Sequence, residues 1–252
     1  MMDISFDFSD KVFCITGATS GIGKKITSDI CCSGGRVIAV GRNRDVFVKL
    51  KAEHGEKLYP VVADLRDESV VEKIQKAISE LGKLDGFVHA AGVSYNTPLR
   101  VYNDDKAHEI MDVSFWSAVK LIQLINKPKN HNPMCSYVLF SSVAAYSGGK
   151  AIFAYAAAKS AVQSLARTLC KEIVKDGSRI NSISPGVIET DMTRMVDDKF
   201  GLSDSIKQGA LLGLGSVEDV SGMVKFLMSD NAKWITGRDF VIDGGYLMGG
   251  RE

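Results

Sequence analysis

The sequence predicts a doubly wound α/β domain on a mostly parallel sheet of about seven strands. Short apolar runs alternate with helical patterns along the whole chain. The runs are nearly continuous in apolar residues, as strands covered on both faces require. No linker, repeat or low-complexity stretch breaks the rhythm, so residues 1–252 read as one domain.

The elements follow in order. VFCIT (12–16) reads as the first buried strand, and a helix begins at Ile22. Its Ile22, Ile26 and Ile30 are spaced by four, and Gly34-Gly35 stops it. RVIAV (36–40) is the second strand, a polar helix covers 44–54, and LYPVV (58–62) is the third strand. DESVVEKIQKAISEL (67–81) is amphipathic, with Val70, Val71, Ile74, Ala77, Ile78 and Leu81 on one side. DGFVHA (85–90) and SYVLF (136–140) are the next strands, and one long helical pattern spans 104–126 between them. A helix over 153–175, the strand RINSIS (179–184), a helix over 217–229 and the strand RDFVID (238–243) complete the chain.

Bulk properties exclude several function classes. The net charge of +1 gives no field for nucleic acid or an anionic membrane. Five cysteines without a CxxC pair argue against a disulfide framework or zinc site, and for reduced thiols in a cytoplasmic protein. His54, His89, His108 and His131 have no metal-ligand spacing, so no metal is expected. The N-terminus lacks a signal-peptide pattern, and no apolar run is long enough to span a bilayer.

In a doubly wound sheet, ligands bind beyond the carboxyl ends of the strands. Directly after the first strand comes TGATSGIG, with Gly17, Gly21 and Gly23. Glycines there allow a tight turn and close backbone approach, and the following helix offers unpaired N–H groups to a phosphate. The second strand ends in VGRNRD. An acid at that place binds a ribose 2′-OH, whereas arginine accommodates a 2′-phosphate. Gly41 followed by Arg42 and Arg44 therefore favours NADP(H) over NAD(H). Asp45, the acid that would reverse this, lies past the strand end.

The stretch AYAAAK puts Tyr155 and Lys159 four apart, on one face of a helix with small residues between them. Ser142 ends the strand before that helix. A nearby ammonium favours a phenolate, so Lys159 is expected to lower the Tyr155 pKa. Tyr155 then serves as general acid or base, and the Ser142 hydroxyl orients a carbonyl oxygen.

These motifs in this order resemble the short-chain dehydrogenase/reductase family, in its branch of about 250 residues. AGV after the fourth strand, the segment SPGVIET and the ending ITGRDFVIDGGY belong to the same match. The resemblance implies a Rossmann-type domain, hydride transfer between nicotinamide and a carbonyl or secondary alcohol, and a homo-oligomer, tetramer or dimer. It implies that Lys159 also binds the nicotinamide ribose. It assigns the cofactor to Gly17, Thr19, Ser20, Gly21, Ile22, Gly23, Arg42, Asp64, Leu65, Ala91, Gly92, Pro185, Gly186, Ile188 and Thr190, with Tyr155 and Lys159. Asp64 also has a plain alternative as a cap for the helix over 67–81.

Three departures stand out. Many family members carry an asparagine that holds a water in a proton relay to the lysine; here the position is Ser114. Slowed, normal and lost turnover all remain open for it. HAAG (89–92) stands where NNAG is common, which makes His89 a buried hydrogen-bonding residue rather than a catalytic one. Residues 191–216 form the expected substrate lid, with Tyr95, Tyr146 and Met192 as candidate pocket walls. The expected substrate is a small carbonyl compound or an acyl thioester, including the 3-oxoacyl-carrier-protein type, for which Arg100 and Arg194 are possible contacts. A catalytically weak NADP(H)-binding regulatory or scaffold protein on the same fold is the rival reading.

Overall fold

The computed structural model describes residues 4–190 and 209–249. Seven strands form one sheet in the order β3-β2-β1-β4-β5-β6-β7, every neighbouring pair parallel. They are β1 (Val12–Thr16), β2 (Arg36–Gly41), β3 (Leu58–Val62), β4 (Leu84–His89), β5 (His131–Phe140), β6 (Arg179–Pro185) and β7 (Asp239–Ile242). The order turns back between β1 and β4, which opens a crevice at their carboxyl ends.

Alternation along each strand splits the core into two layers. Cys14 faces one layer with Ile74 and Ile78 of α3 (Ser69–Leu81), Leu121 and Ile125 of α5 (Ser117–Ile125), and Val162 and Ala166 of α7 (Phe153–Ile173). Phe13 and Ile15 face the other, with Ile26 and Ile30 of α1 (Gly21–Cys32), Phe47 and Leu50 of α2 (Arg44–His54), and Val220 and Val224 of α8 (Val217–Met228). All these residues are buried, so the central strands of the sheet are dry on both faces.

Two elements differ from the sequence expectation. The strand expected at 136–140 starts at His131, because Leu84 pairs with His131 before the register shifts at Gly86 and Ser136. The helix expected over 104–126 is three pieces: α4 (Asp104–Met111), a π-helical turn (Asp112–Trp116) and α5. Besides these, a short α6 (Ala144–Ser147) follows β5. Among the described residues no helix is long and apolar enough to cross a membrane, and no group of side chains is set to hold a metal ion.

Besides its ladder with β6, the edge strand β7 is tied to its neighbours by one carboxylate. Asp239 accepts from Ser184 at 2.7 Å, from Tyr146 at 2.7 Å, from Gln163 at 3.4 Å, and from Ser182. Removing it strands several donors at once. Asp239→Ala is expected to destabilise the chain by about 2 kcal/mol in urea unfolding. A loss below about 0.5 kcal/mol would place the anchor of β7 elsewhere.

Candidate active site

The site lies at the carboxyl ends of β1, β2, β4, β5 and β6. Its floor is the glycine turn. Gly17 has φ +70°, and a Cβ on it would stand 2.8 Å from the Ala91 amide nitrogen. A Cβ on Gly23 would stand 2.4 Å from the Gly17 carbonyl oxygen. Only glycine lets the turn close this tightly against the backbone after β4. Ser20 is the N-cap of α1, but its side chain makes no capping bond, so the first-turn N–H groups of the helix remain available to an anion.

One cavity gathers every cofactor-side residue named from the sequence, from Gly17, Thr19, Ser20, Gly21, Ile22 and Gly23 through Arg42, Asp64, Leu65, Ala91 and Gly92 to Pro185, Gly186, Ile188 and Thr190. Ser142, Tyr155 and Lys159 line the same cavity. An elongated nucleotide fits this arrangement: an uncapped helix start for phosphate, an arginine at one end and hydroxyls at the other.

At the Arg42 end of the cavity, a Cβ on Gly41 would stand 2.7 Å from the Thr19 side chain, so an acid there would require Thr19 to move. Arg42 is two-thirds exposed and lies 3.9 Å from Asp64. Asp64 is held more closely by Arg66, whose Nε and Nη2 donate at 3.0 and 2.7 Å. Those bonds hold the Asp64 carboxyl down to about 2. Asp64 does not cap the following helix, which starts at Ser69 after Glu68; its Oδ1 accepts from the Arg66 amide instead, at 3.0 Å. Asp45 sits in the first turn of α2, off the strand end.

At the other end of the cavity, Tyr155 and Lys159 occupy the first two turns of α7. Ser141 donates to the Lys159 backbone carbonyl at 2.8 Å, which docks the helix against β5. Ser142 Oγ accepts from the Ala144 amide at 3.2 Å. The Lys159 ammonium is buried, donates to the Phe140 carbonyl at 2.8 Å, and lies over the Tyr155 ring, 5.5 Å from its centroid.

This geometry corrects the expectation that Lys159 lowers the Tyr155 pKa. Burial pushes the phenol above its ordinary value, and the neighbouring Ser142 hydroxyl acts in the opposite direction. Lys159 is itself pushed down to about 8 by burial. The contacts of the Phe140 carbonyl and Ser141 with Lys159 were not legible in the sequence, because a backbone acceptor has no residue signature; the Ser141-Ser142 doublet after β5 was the available signal for Ser141.

Ser114 does not line the cavity. It lies behind Lys159 in the π-helical turn, buried, and its Oγ has no protein partner. A Cβ on Gly92 would stand 3.3 Å from Lys159 Nζ and 3.7 Å from Ser114 Oγ. His89 is buried and hydrogen-bonded, as expected, with Nδ1 2.9 Å from Thr16 Oγ1 and Nε2 3.1 Å from the Val113 carbonyl.

Neither tyrosine expected in the pocket wall lines the cavity. Tyr146 turns away to Asp239. Tyr95 packs with Ile110, Ala154 and Ala158, beside Lys106. Arg100 is exposed in a short 3-10 turn (Leu99–Val101) outside the cavity. Met192 and Arg194, with most of the proposed lid, lie outside the described residues. The described end of that segment pairs with the chain that follows β6, where the Glu189 N–H donates to the Gly215 carbonyl at 2.8 Å.

Comparison with known proteins agrees with this geometry. The sequence model of a family described as enoyl-(acyl carrier protein) reductase matches residues 17–247. The 3-oxoacyl-[acyl-carrier-protein] reductase of Salmonella typhimurium is 27% identical over 244 residues, 96% of this chain and 99% of that protein. The chain belongs to the short-chain dehydrogenase/reductase family. Among solved members, 4-hydroxyisoleucine dehydrogenase complexed with NADH is 29% identical, with a TM-score of 0.88, and the match covers 95% of this chain and all of that one. A blue fluorescent protein from a metagenomic library, in complex with NADPH, is 26% identical, with a TM-score of 0.89 over 96% and 99% of the two chains. This short-chain dehydrogenase/reductase is therefore an oxidoreductase of nicotinamide chemistry.

The buried lysine gives a signed pH dependence. Its folded value of about 8 lies below the ordinary 10.5, so the unfolded chain binds more protons between those values. Stability contributed at this position therefore rises with pH across that window and is flat below it. Without cofactor, the parent is expected to gain about 3 kcal/mol relative to Lys159→Met between pH 8 and pH 10.5. Denaturant titrations of both at several pH values would read it. A constant difference would mean that burial does not depress the ammonium.

Proposed function

We propose that this chain transfers hydride between NADP(H) and a carbonyl or secondary alcohol, with Tyr155 as general acid and base. The observation that carries this reading is the convergence of Ser142, Tyr155 and Lys159 in the cavity that holds the glycine turn. The bound nicotinamide supplies or accepts the hydride. The chain's own residues manage the oxygen and its proton. Two neighbouring hydroxyls, of Ser142 and Tyr155, donate to one substrate oxygen, and the Tyr155 proton passes to it as negative charge develops. A phenol held above its ordinary pKa is protonated at neutral pH, which is the form that reduction needs. Lys159 holds the nicotinamide ribose and returns a proton to the phenol, and Ser114 Oγ extends that path.

The preference for NADP(H) rests on Gly41, where the strand end carries no acid and one would displace the Thr19 side chain, and on the exposed guanidinium of Arg42. An acyl thioester with a 3-oxo group is the favoured substrate class, in line with the related reductase. A homo-oligomer is supported by Trp116 and Phe153, exposed on the helical layer that also holds α7.

Tyr155→Phe is expected to lower turnover of acetoacetyl-coenzyme A at least 1000-fold while NADPH affinity changes less than threefold. Parent-like turnover in that variant would end the proposed mechanism. Arg42→Ala is expected to weaken NADPH binding about tenfold or more and NADH binding less than twofold, read by fluorescence titration. Equal losses for both cofactors would remove the 2′-phosphate assignment.

A further inference from the structure

The π-helical turn at Asp112–Trp116 is the only such turn among the described residues, and it falls next to Lys159. A π turn inside an α-helix inserts one residue and changes which carbonyls the helix amides reach. Here the Ser117 amide donates to Asp112 rather than to Val113. The Val113 carbonyl instead receives two side-chain groups, the Ser117 hydroxyl at 2.7 Å and His89 Nε2 at 3.1 Å. Ser117 Oγ and His89 Nε2 are themselves 3.3 Å apart.

The hydrogen bonds fix the state of the ring. Nε2 faces a carbonyl, which only accepts, so it carries the proton. Nδ1 then accepts the Thr16 hydroxyl at 2.9 Å, and Thr16 Oγ1 in turn accepts the Ala91 amide at 3.3 Å. A continuous chain thus runs from the loop after β4, through the end of β1, across His89 to the middle of the broken helix. Every member is buried or partly buried, so an unmade bond has little water to replace it.

We propose that His89 is a positioning residue. By engaging the Val113 carbonyl, it holds the π turn that presents Ser114 Oγ beside Lys159 and Gly92. Val113 precedes Ser114, so a strut on the Val113 carbonyl sets the peptide plane from which Ser114 departs. The helix would otherwise close to regular α geometry and rotate Ser114 by about 100° about its axis. Burial, with the Lys159 charge adding to it, pushes His89 down to about 4, so the strut stays neutral across the physiological range. The link to proton transfer rests on the proposed function; the strut itself does not.

Two readouts test this. The first is hydrogen exchange of amides 114–118 with NADPH bound and no substrate. His89→Leu, which fills the volume without a donor, is expected to speed exchange there about tenfold. His89→Gln, whose amide can still donate to the carbonyl, is expected to stay within threefold of the parent. Ser117→Ala removes the second donor to the same carbonyl and should speed exchange about threefold; it carries the test if His89→Leu does not fold. Unchanged exchange in all of them overturns the strut, whether or not the chain reduces any carbonyl. The second readout is NADPH-dependent reduction of acetoacetyl-coenzyme A. His89→Leu should lower kcat about tenfold with less than twofold change in KM for NADPH. In a Ser114→Ala background the same substitution should lower kcat less than threefold. An equal loss in both backgrounds shows that His89 does not act through Ser114 and overturns its positioning role.

Discussion

A parallel sheet buried on both faces has almost no place for polar side chains except the strand ends. That constraint organises the molecule. Cys14, Ile38, Val40, Phe87, Val138 and Leu139 fill the strand interiors, and none is measurably exposed. Buried polar groups inside strands, such as Asn181, Ser182 and Ser184 of β6, are hydrogen-bonded, and the polar groups of the site appear where the strands stop. Thr16 ends β1, His89 ends β4, and Ser141 and Ser142 follow β5. The order of strands then decides which ends meet, because β4 and β1 are neighbours and β5 lies beside β4. The glycine turn, the loop after β4 and the start of α7 are brought together by topology before any side chain contributes.

Within that edge, desolvation decides the chemistry more than attraction between charges does. Lys159 and Tyr155 both move toward their neutral forms. The lysine spends a proton on the Phe140 carbonyl, a neutral acceptor that gives back less than a carboxylate would. The result is an amine able to exchange protons near neutrality, next to a phenol that keeps its own. For the proposed reduction this is the useful pairing: a charged, unperturbed lysine would hold its proton too firmly, and a phenolate would have none to donate. The anionic phosphates of a bound nucleotide would act against that shift at Lys159, since a nearby anion favours the charged ammonium.

Much of this was legible in the sequence because the rules are local. Apolar runs such as RVIAV declare buried strands, and TGATSGIG after a strand declares a phosphate turn. What was not legible depends on partners far along the chain. The first half of β5, HNPMC, carries a proline and polar residues and looks like loop; pairing with Leu84 makes it strand. The break in the helix over 104–126 leaves no mark in the apolar periodicity, because its cause is tied to His89, 24 residues away. Tyr146 resembled a pocket residue by its position, yet an aspartate 93 residues later takes its hydroxyl. The polarity of the Tyr155–Lys159 pair was misread for a similar reason: burial, which pushes both groups toward their neutral forms, is set by the whole fold and not by the local spacing.

The Arg42 end of the cavity follows the same logic with the sign reversed. A carboxylate near a 2′-phosphate would repel it, and Asp64 lines the cavity. Arg66 resolves the conflict by binding Asp64 through two nitrogens and reaching Glu109 at 2.9 Å with a third. Both acids are thereby occupied. Arg42 keeps only a loose contact at 3.9 Å and a largely exposed guanidinium. An arginine so placed loses little on turning to a phosphate, because the pairing it gives up is long and solvent-screened. The discrimination proposed for Arg42 therefore depends on Arg66: were Asp64 left unpaired, it would draw Arg42 closer and set a negative charge beside the guanidinium that the proposed 2′-phosphate would need.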